Sequence, residues 1–559
     1  MDNYQIADIF SLLAKLMEIH GENSFKSKSY SSAAFAIEKC EVQLIDLPVE
    51  KISSIKGLGS SATQKIAEII ETGQLKVLEE IIFKTPPGVI EMINIKGIGP
   101  KKINTIWKEM EIESVGELLY ACKENRLKLY KGFGEKTQQS INDTIEFYLK
   151  SKESHLYFQV ELVAKQTLEF LQKIFGENNV KITGEFERQL EIINHLDFLI
   201  DDTLECIEEK LIAVPSLQLE EKTNEFLVYK TSSGIRIRSY AVNTKKRGLQ
   251  LIETASSQDF MEAFFGRSEG KDFEGIDDEN EVFSTASISY LPARLRELPE
   301  ILEKSLQDPS KPLQVSDIKG IIHCHSNWSD GSNSIEELAM AAQERGLEYL
   351  VISDHSKSAF YANGLREERI QAQHQYINEL NQKIAPFKVY KSIESDILND
   401  GSLDYSNSVL ATFDLVIASV HSNLKMTEDK AMMRLITAIE NPYTTILGHM
   451  TGRLLLSRNG YPVDHKKIID ACAANNVVIE LNAHPNRLDI DWRHIQYALD
   501  KNVMISIDPD AHFIEGLDHI RFGVIVAQKT LLKKENNLSS FNRENFEKYI
   551  LHRKSTKNI

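Results

Sequence analysis

The chain of 559 residues is short of several things, and each shortage excludes a class of protein. No apolar run approaches the roughly 20 residues that a membrane span needs, so no membrane partner is expected. The first residues, MDNYQIADIF, have no basic stretch ahead of an apolar one, so no signal peptide is read there. Cysteine is scarce. Cys40, Cys122, Cys206, Cys324 and Cys472 are scattered and odd in number, which excludes a disulfide framework and points to reduced thiols in a cytoplasm. Positive charge is in deficit as well: 65 Lys and Arg against 82 Asp and Glu leave −17, which argues against a broadly basic nucleic-acid binder. The deficit is uneven. Residues 1–150 hold 19 basic against 21 acidic side chains, and the other −15 lies beyond them, so the N-terminal part can still grip phosphates through backbone amides and a few lysines.

Histidine is nearly missing from the first 320 residues, since 12 of 15 follow that point. The length favours three or four domains. Residues 1–150 read as short helices in which one pattern recurs: Ile55-Lys56-Gly57-Leu58-Gly59, Ile95-Lys96-Gly97-Ile98-Gly99 and Tyr130-Lys131-Gly132-Phe133-Gly134. Residues 156–245 turn to strand-like runs at Val180–Gly184, Leu196–Ile200, Glu225–Tyr229 and Gly234–Val242. Residues 246–312 are mixed and acidic, and Gln307–Leu313, with two prolines, reads as a linker. From residue 318 short apolar strands alternate with helical segments, the signature of a βα-repeating fold.

The ends of those strands carry the chemistry. Ile318–Ile322 runs into His323 and His325, with Asp330 in the next loop. Tyr349–Ser353 ends at Asp354-His355, Val389–Ile393 at Glu394, Leu415–Val420 at His421 and Thr444–Gly448 at His449. Val477–Leu481 leads to Asn482 and His484, and Val503–Ile507 to Asp510 and His512. In a closed β/α barrel these ends share one face, where active sites sit. Imidazole with carboxylate suits zinc, manganese or iron. Glu394 can bridge two ions, and adjacent cations can activate a water and stabilise the leaving oxygen of a phosphate ester.

His323-Cys-His325-x4-Asp330-Gly331, Ile352-Ser-Asp-His355-Ser-Lys, Glu394, Ser419-Val-His421-Ser, Gly448-His449 and Asp510-Ala-His512 resemble the PHP (polymerase and histidinol phosphatase) domain over roughly residues 316–550. Ala362-Asn-Gly-Leu365 and Thr451-Gly-Arg453-Leu resemble the form of it fused to bacterial family X DNA polymerases. The resemblance implies two or three divalent ions (Mn²⁺, Zn²⁺ or Fe²⁺). One ion would take His323, His325, Glu394 and Asp510; a second would share Glu394 and add His421 and His449; a third would take Asp330, His355 and His512. Ile321 stands where the family has an acidic residue. Arg453 is the candidate phosphate clamp, and His484 a candidate substrate contact.

Each Gly-x-Gly turn before a helix start offers backbone N–H groups to an anion. The three copies resemble helix–hairpin–helix motifs, which hold DNA phosphates without reading bases. The expected contacts are Gly57, Gly59, Gly97, Gly99, Lys101, Lys102, Gly132, Gly134 and Lys136. In family X the first module can be a deoxyribose-phosphate lyase. Lys65 aligns with its Schiff-base lysine, Tyr30 and Lys26 match supporting positions, and Ser61 replaces a lysine.

The polymerase palm of that family has a Gly-Ser turn before an Asp-x-Asp strand and a third aspartate on a neighbouring strand. Here the matching residues are Gly184-Glu185, then His195-Leu-Asp197, then Arg238, so Asp197 alone survives of three carboxylates. Two-metal phosphoryl transfer needs clustered carboxylates. Asp201 cannot substitute, because four residues along a strand is about 13 Å.

The implied architecture is multidomain: a helical lyase-like module at 1–85, a fingers-like region at 86–155, an α+β nucleotidyltransferase-like palm at 156–245, a thumb-like region at 246–312 and a (β/α)7 PHP barrel at 313–559. The expected activity is metal-dependent phosphodiester hydrolysis on gapped, nicked or primer–template DNA, as a 3′–5′ exonuclease or abasic-site endonuclease in repair, beside an inactive polymerase core. The alternatives are an active polymerase with a proofreading PHP domain, a small-molecule phosphatase, and a non-catalytic DNA-binding scaffold.

Overall fold

The computed structural model describes residues 2–40, 42–123, 127, 130–151, 154–304, 312–456 and 459–559, so most of the expected linker at 307–313 lies outside the described residues. The chain divides into two compact units, Met1–Lys152 and Glu153–Ile559. Among the described residues no helix is long and apolar enough to cross a membrane.

The first unit is helical. Its opening helix, Asn3–Ile19, starts on an Asp2 capping box that satisfies the free amides of its first turn. The three repeated pentapeptides fold alike. Leu58, Ile98 and Phe133 are buried between their glycines, and the N–H of each donates to the carbonyl of Ile55, Ile95 or Tyr130 at 3.0–3.2 Å. Gly57, Gly97 and Gly132 have φ of +99°, +88° and +94°, where any side chain would strain the backbone. Gly59 and Gly99 then cap the helices Ser60–Thr72 and Pro100–Lys108, and Gly134 precedes Glu135–Ser151. Apolar residues from Ile6 to Ile145, on both sides of the boundary expected at residue 85, form one cluster.

The second unit begins with strands β1 (His155–Leu156), β2 (Val180–Thr183), β3 (Ile192–Ile193), β4 (Leu196–Ile200), β5 (Leu217–Lys222), β6 (Phe226–Thr231) and β7 (Arg236–Ala241). β1 and β3 make a short antiparallel ladder, and the others form a sheet in the order β2-β4-β7-β6-β5. Helices between Arg247 and Lys304 follow, around an apolar cluster of their own.

Eight further strands form the C-terminal part: β8 (Gly320–Ile321), β9 (Tyr349–Ile352), β10 (Lys388–Lys391), β11 (Glu394–Asp396), β12 (Ile417–Ser419), β13 (Ile446–Leu447), β14 (Val478–Asn482) and β15 (Ile505–Asp508). They make two parallel sheets, β10-β9-β8 and β11-β12-β13-β14-β15. Single parallel bridges, His355 with Glu394 and Cys324 with Ala511, join the sheets at both ends. Strand residues alternate between two apolar clusters. Leu350 and Ile352 of β9 enter one, and Tyr349 and Val351 enter another that the C-terminal helix closes with Phe546 and Ile550. Gly320 has no room for a side chain, since a Cβ there would lie 2.1 Å from the Tyr349 ring.

A polar network ties the β2–β7 sheet to the C-terminal strands. Buried Glu191 accepts hydrogen bonds from Trp492 Nε1 at 3.1 Å and Arg493 Nη1 at 2.8 Å. Buried Lys529 donates to the carbonyl of Arg188, whose guanidinium pairs with Glu297. Burial pushes the Lys529 ammonium down to about 8, against the pull of Glu297 and Glu191. Glu191→Ala should lower the unfolding temperature, with a cost of about 1–3 kcal/mol for the buried Trp492 N–H left without an acceptor; Arg493 can turn to solvent and adds little. Glu191→Gln keeps an acceptor oxygen and should recover most of the loss. Calorimetry on the three proteins checks this, and identical unfolding temperatures would refute it.

Candidate metal centre

The nine side chains singled out as ligands meet: eight follow the C-terminal ends of β8, β9, β12, β13 and β15, and Glu394 follows β10 and opens β11. Glu394, the first residue of β11, is fully buried and lies at their centre. Its Oε1 is 3.0 Å from His449 Nε2, 3.1 Å from His421 Nε2 and 3.4 Å from His323 Nε2. Its Oε2 is 2.8 Å from His355 Nδ1 and 3.7 Å from His325 Nε2. Asp510 Oδ1 lies 3.1 Å from His325 Nε2 and 3.6 Å from His323 Nε2. Asp330 Oδ2 lies 3.5 Å from His355 and 3.6 Å from His512.

Three groups are tight enough to share one ion each: His323, His325 and Asp510; His355, Glu394 and His421; and His325, Asp330, His355 and His512. The group around Asp330 contains the expected set of Asp330, His355 and His512, and the other two overlap the expected sets in part. His325 joins the Asp330 group, because its ring stacks on both His355 and His512 at 4.3 Å between centroids. His355 joins Glu394 and His421, and His449 approaches Glu394 from outside that group.

The donor chemistry fits divalent cations. His323 Nε2, His355 Nδ1 and Glu394 Oε2 are buried, close to one another, and yet make no hydrogen bond among the described residues. Close approach without hydrogen-bond geometry is what lone pairs aimed at a common point show. Ligands about 2.1 Å from one ion lie about 3.0–3.4 Å apart, and the separations here run from 2.8 to 3.7 Å. Electrostatics agree. Burial opposes ionisation of Glu394, but His421, His323 and His355 hold it well below the usual carboxylate range. Burial opposes charge on His355 and His421, yet Glu394 pulls them up to about 10 and about 9. Burial and the neighbouring His355 and His512 push His325 down to about 3. The centre thus requires positive charge around its carboxylates.

A surrounding layer fixes the ligands, and sequence reasoning missed it. Glu480 on β14 takes His323 Nδ1 at 2.5 Å on one oxygen and the His449 N–H at 2.6 Å on the other. Asp396 holds His421 Nδ1. Asp354 accepts from Ser326, Ser329 and Gln373, which ties down the loop carrying Asp330. Such partners set tautomer and ring orientation. The available signal was a lone glutamate inside the apolar run Val477–Leu481. Ile321, at the acidic position, is buried among apolar side chains.

Arg453 does not face the centre as a clamp. Its guanidinium is committed to Asp491 at 2.7 Å and to the carbonyls of Arg487 and Leu488, so it anchors the loop after β14. The arginine beside the ligands is Arg487, whose Nε is 3.6 Å from Asp510 Oδ2. His484, in the same loop, accepts the Asn486 N–H on Nδ1. Burial and the neighbouring His519 push it down to about 4.

In the helical unit, Lys101 and Lys136 are exposed and Lys102 half-buried, each within three residues of a Gly-x-Gly turn. Lys65 is half-buried with its ammonium 5.6 Å from the Tyr30 ring. In the β2–β7 sheet, Arg238 stands directly opposite Asp197 on the neighbouring parallel strand and donates to its Oδ1 at 2.6 Å. Burial pushes Asp197 up to about 6 against the pull of Arg238. A Cβ on Gly184 would lie 1.9 Å from Asp197 Oδ2. Glu185 spends both oxygens on Asn194 at 2.6 and 2.8 Å, next to His195. Gly184, Glu185, Asp197 and Arg238 line a cleft of about 640 Å³ with Arg188 and Lys246.

Family models match three stretches: a helix-hairpin-helix domain at residues 1–75, a SAM-like helix-hairpin-helix tandem at 89–145 and a PHP domain at 322–484. The chain is 30% identical to the DNA polymerase/3′-5′ exonuclease PolX of Bacillus subtilis (strain 168), over 98% of this chain and 99% of that protein. It is 28% identical to a probable phosphatase of Caldanaerobacter subterraneus subsp. tengcongensis over 29% of this chain and 60% of that protein. A probable phosphatase of Caldicellulosiruptor bescii is 28% identical over 34% of this chain and 78% of its own length.

Protein purified without chelator should carry more than one transition metal ion per chain by elemental analysis. Glu394→Gln should abolish metal-dependent hydrolysis while the unfolding transition stays cooperative, because a neutral amide cannot offset two cations. Glu480→Gln should weaken metal affinity by about 10–100-fold. Chains that bind neither Mn²⁺ nor Zn²⁺, or full hydrolysis by the Glu394 variant, would contradict this description.

Proposed function

The chain belongs to the PolX family, family X DNA polymerases that carry a C-terminal PHP domain, and from that premise we propose that it is a DNA-binding, metal-dependent phosphodiesterase whose working site is the PHP domain. The observation that carries the reading is the convergence of three candidate ligand groups on one site, with His325 and His355 each shared by two groups and a buried Glu394 at the centre. The reaction is removal of nucleotides from a 3′ end, or incision at an abasic site, during repair.

Bound cations would supply Lewis-acid stabilisation of a phosphate ester and a water activated at neutral pH. His323, His325 and Asp510 would hold one ion, His355, Glu394 and His421 another, and Asp330 with His325, His355 and His512 a third, with His449 completing the shell around Glu394. The protein's own groups do the rest. Arg487 lies against Asp510, and its guanidinium fork is placed to bind the non-bridging oxygens of the scissile phosphate. His484 accepts a backbone N–H on Nδ1, so its proton sits on Nε2 and can be donated to a substrate oxygen. Glu480 and Asp396 keep His323 and His421 in the tautomer that leaves Nε2 as a ligand.

The helical unit supports DNA as the substrate. Its three like turns place backbone amides and Lys101, Lys102 and Lys136 at helix starts, where they would bind phosphates. Lys65 is read as a phosphate-contacting lysine beside Tyr30 rather than a lyase nucleophile.

The polymerase core is read as inactive. A templated polymerase needs carboxylates where this chain has His195 and Arg238, and Arg238 already neutralises the remaining Asp197. A small-molecule phosphatase has in its favour the relatives named probable phosphatases, but they cover only about a third of this chain.

One incubation separates these readings: a 5′-labelled primer–template with Mn²⁺, with and without dNTPs. The expected result is shortening in both. His355→Ala should stop the shortening and reveal no extension, even combined with His195→Asp. Template-directed extension by that protein would overturn the reading of the palm, and an intact primer throughout would overturn the nuclease.

A further inference from the structure

The part of the second unit that holds the β2–β7 sheet contains another cavity, of about 320 Å³. None of the residues that line it lines the cleft around Asp197. Its walls include residues of β2, of the short helix Gly184–Glu187 and of the segment that ends at Arg296. Three cationic side chains, Lys181, Arg294 and Arg296, meet two carboxylates there, Glu187 and Glu279. Glu279 is taken, since its Oε1 accepts from Arg296 Nη1 at 2.7 Å. Neither Lys181 nor Arg294 makes a side-chain hydrogen bond or ion pair among the described residues, and Arg294 Nε is buried without a partner. So are Arg296 Nη2 and Gln189 Oε1 in the same lining. Loss of water pushes the Arg294 guanidinium down and the Glu187 carboxyl up.

Arg294 is half-buried, and a guanidinium is always charged. Its neighbours show what that charge ordinarily finds. Arg188 has Glu297 and the Ser256 carbonyl, Arg238 has Asp197, and Arg296 has Glu279 and the Leu291 carbonyl. Arg294 has no such partner and lines a cavity instead. A guanidinium fork matches a carboxylate or a phosphate, and Lys181 in the same lining favours the more highly charged of the two. The volume is that of a small-molecule site, too small for a nucleic-acid strand. We propose that this cavity is a second ligand site, separate from the metal centre, which holds the phosphate group of a small molecule on Arg294. Free phosphate and a nucleoside monophosphate share that group. The site does not depend on the hydrolytic reading above. Because its lining comes both from the sheet and from the segment that ends at Arg296, an occupant would tie the two together and stabilise the folded chain.

Titration calorimetry on the full chain tests this with dAMP, deoxyadenosine and inorganic phosphate, each with Mn²⁺ bound and again after chelation. One dAMP per chain should bind at a site that chelation leaves unchanged, and deoxyadenosine should not bind there. Arg294→Ala should weaken that site by roughly 10–100-fold, the scale of a lost charge-assisted hydrogen bond. Arg294→Lys should weaken it less, since it keeps the charge without the fork. Without ligand Arg294→Ala should unfold at the wild-type temperature, because Arg294 has no partner to lose; with dAMP it should lack the rise that the wild type shows. Lys246→Ala, in the cleft around Asp197, should bind as the wild type does. Inorganic phosphate with the affinity of dAMP would identify free phosphate as the occupant, and weaker binding would identify the ester. Absence of the chelation-resistant site, its survival in Arg294→Ala, its loss in Lys246→Ala or equal binding of deoxyadenosine would overturn the proposal.

Discussion

The C-terminal part of this protein is organised by one electrostatic constraint: Glu394 opening β11, Glu480 within β14 and Asp510 after β15 are buried together, and buried negative charge must be matched by positive charge. Parallel strands deliver these groups to one place because successive strand ends share a face. Five imidazoles lie within 3.7 Å of Glu394, and their competing shifts express the same demand. Divalent cations answer it in a way that also allows chemistry on a phosphate ester. The outer residues follow from this. Glu480 and Asp396 orient rings, Asp354 fixes the Asp330 loop, and Arg453 fixes the loop that brings Arg487 to Asp510.

The β2–β7 sheet solves the opposite problem. It buries a single carboxylate, Asp197, and supplies the counter-charge from within, as Arg238 at the facing register position. No external cation is called for. Glu185 is likewise consumed, by Asn194, and Arg188 by Glu297 and the Ser256 carbonyl. The sheet nevertheless keeps a buried polar seam with the metal-centre part through Glu191, Trp492 and Lys529. It is thus bound to the PHP part as a wall of the same compact unit.

Much of this was legible in the sequence, for identifiable reasons. The clustering of the candidate ligands was readable because imidazoles and carboxylates at the ends of apolar runs have few structural uses, and Leu196–Ile200 was readable because a fully buried strand is apolar at every position but Asp197. The strand Leu217–Lys222 was not, since an edge strand with its side chains largely exposed carries no apolar period. The extra closeness of His325 to the Asp330 group was not legible, because stacking of its ring on His355 and His512 depends on how two loops approach. Arg453, expected as a phosphate clamp, is instead committed to Asp491 and to the carbonyls of Arg487 and Leu488, contacts that depend on how the loops after β13 and β14 meet. Glu480 was hidden because burial of one glutamate in a strand becomes meaningful only when His323 is seen against it.

The central claim is that one buried site demands external cations and the other has its cation built in. Anomalous diffraction at the manganese edge, on crystals of the full chain soaked in Mn²⁺, tests this most directly. The account predicts more than one anomalous peak among Glu394, Asp510, Asp330 and their histidines, and none beside Asp197. A peak between Asp197 and Arg238, or an empty centre around Glu394, would contradict it.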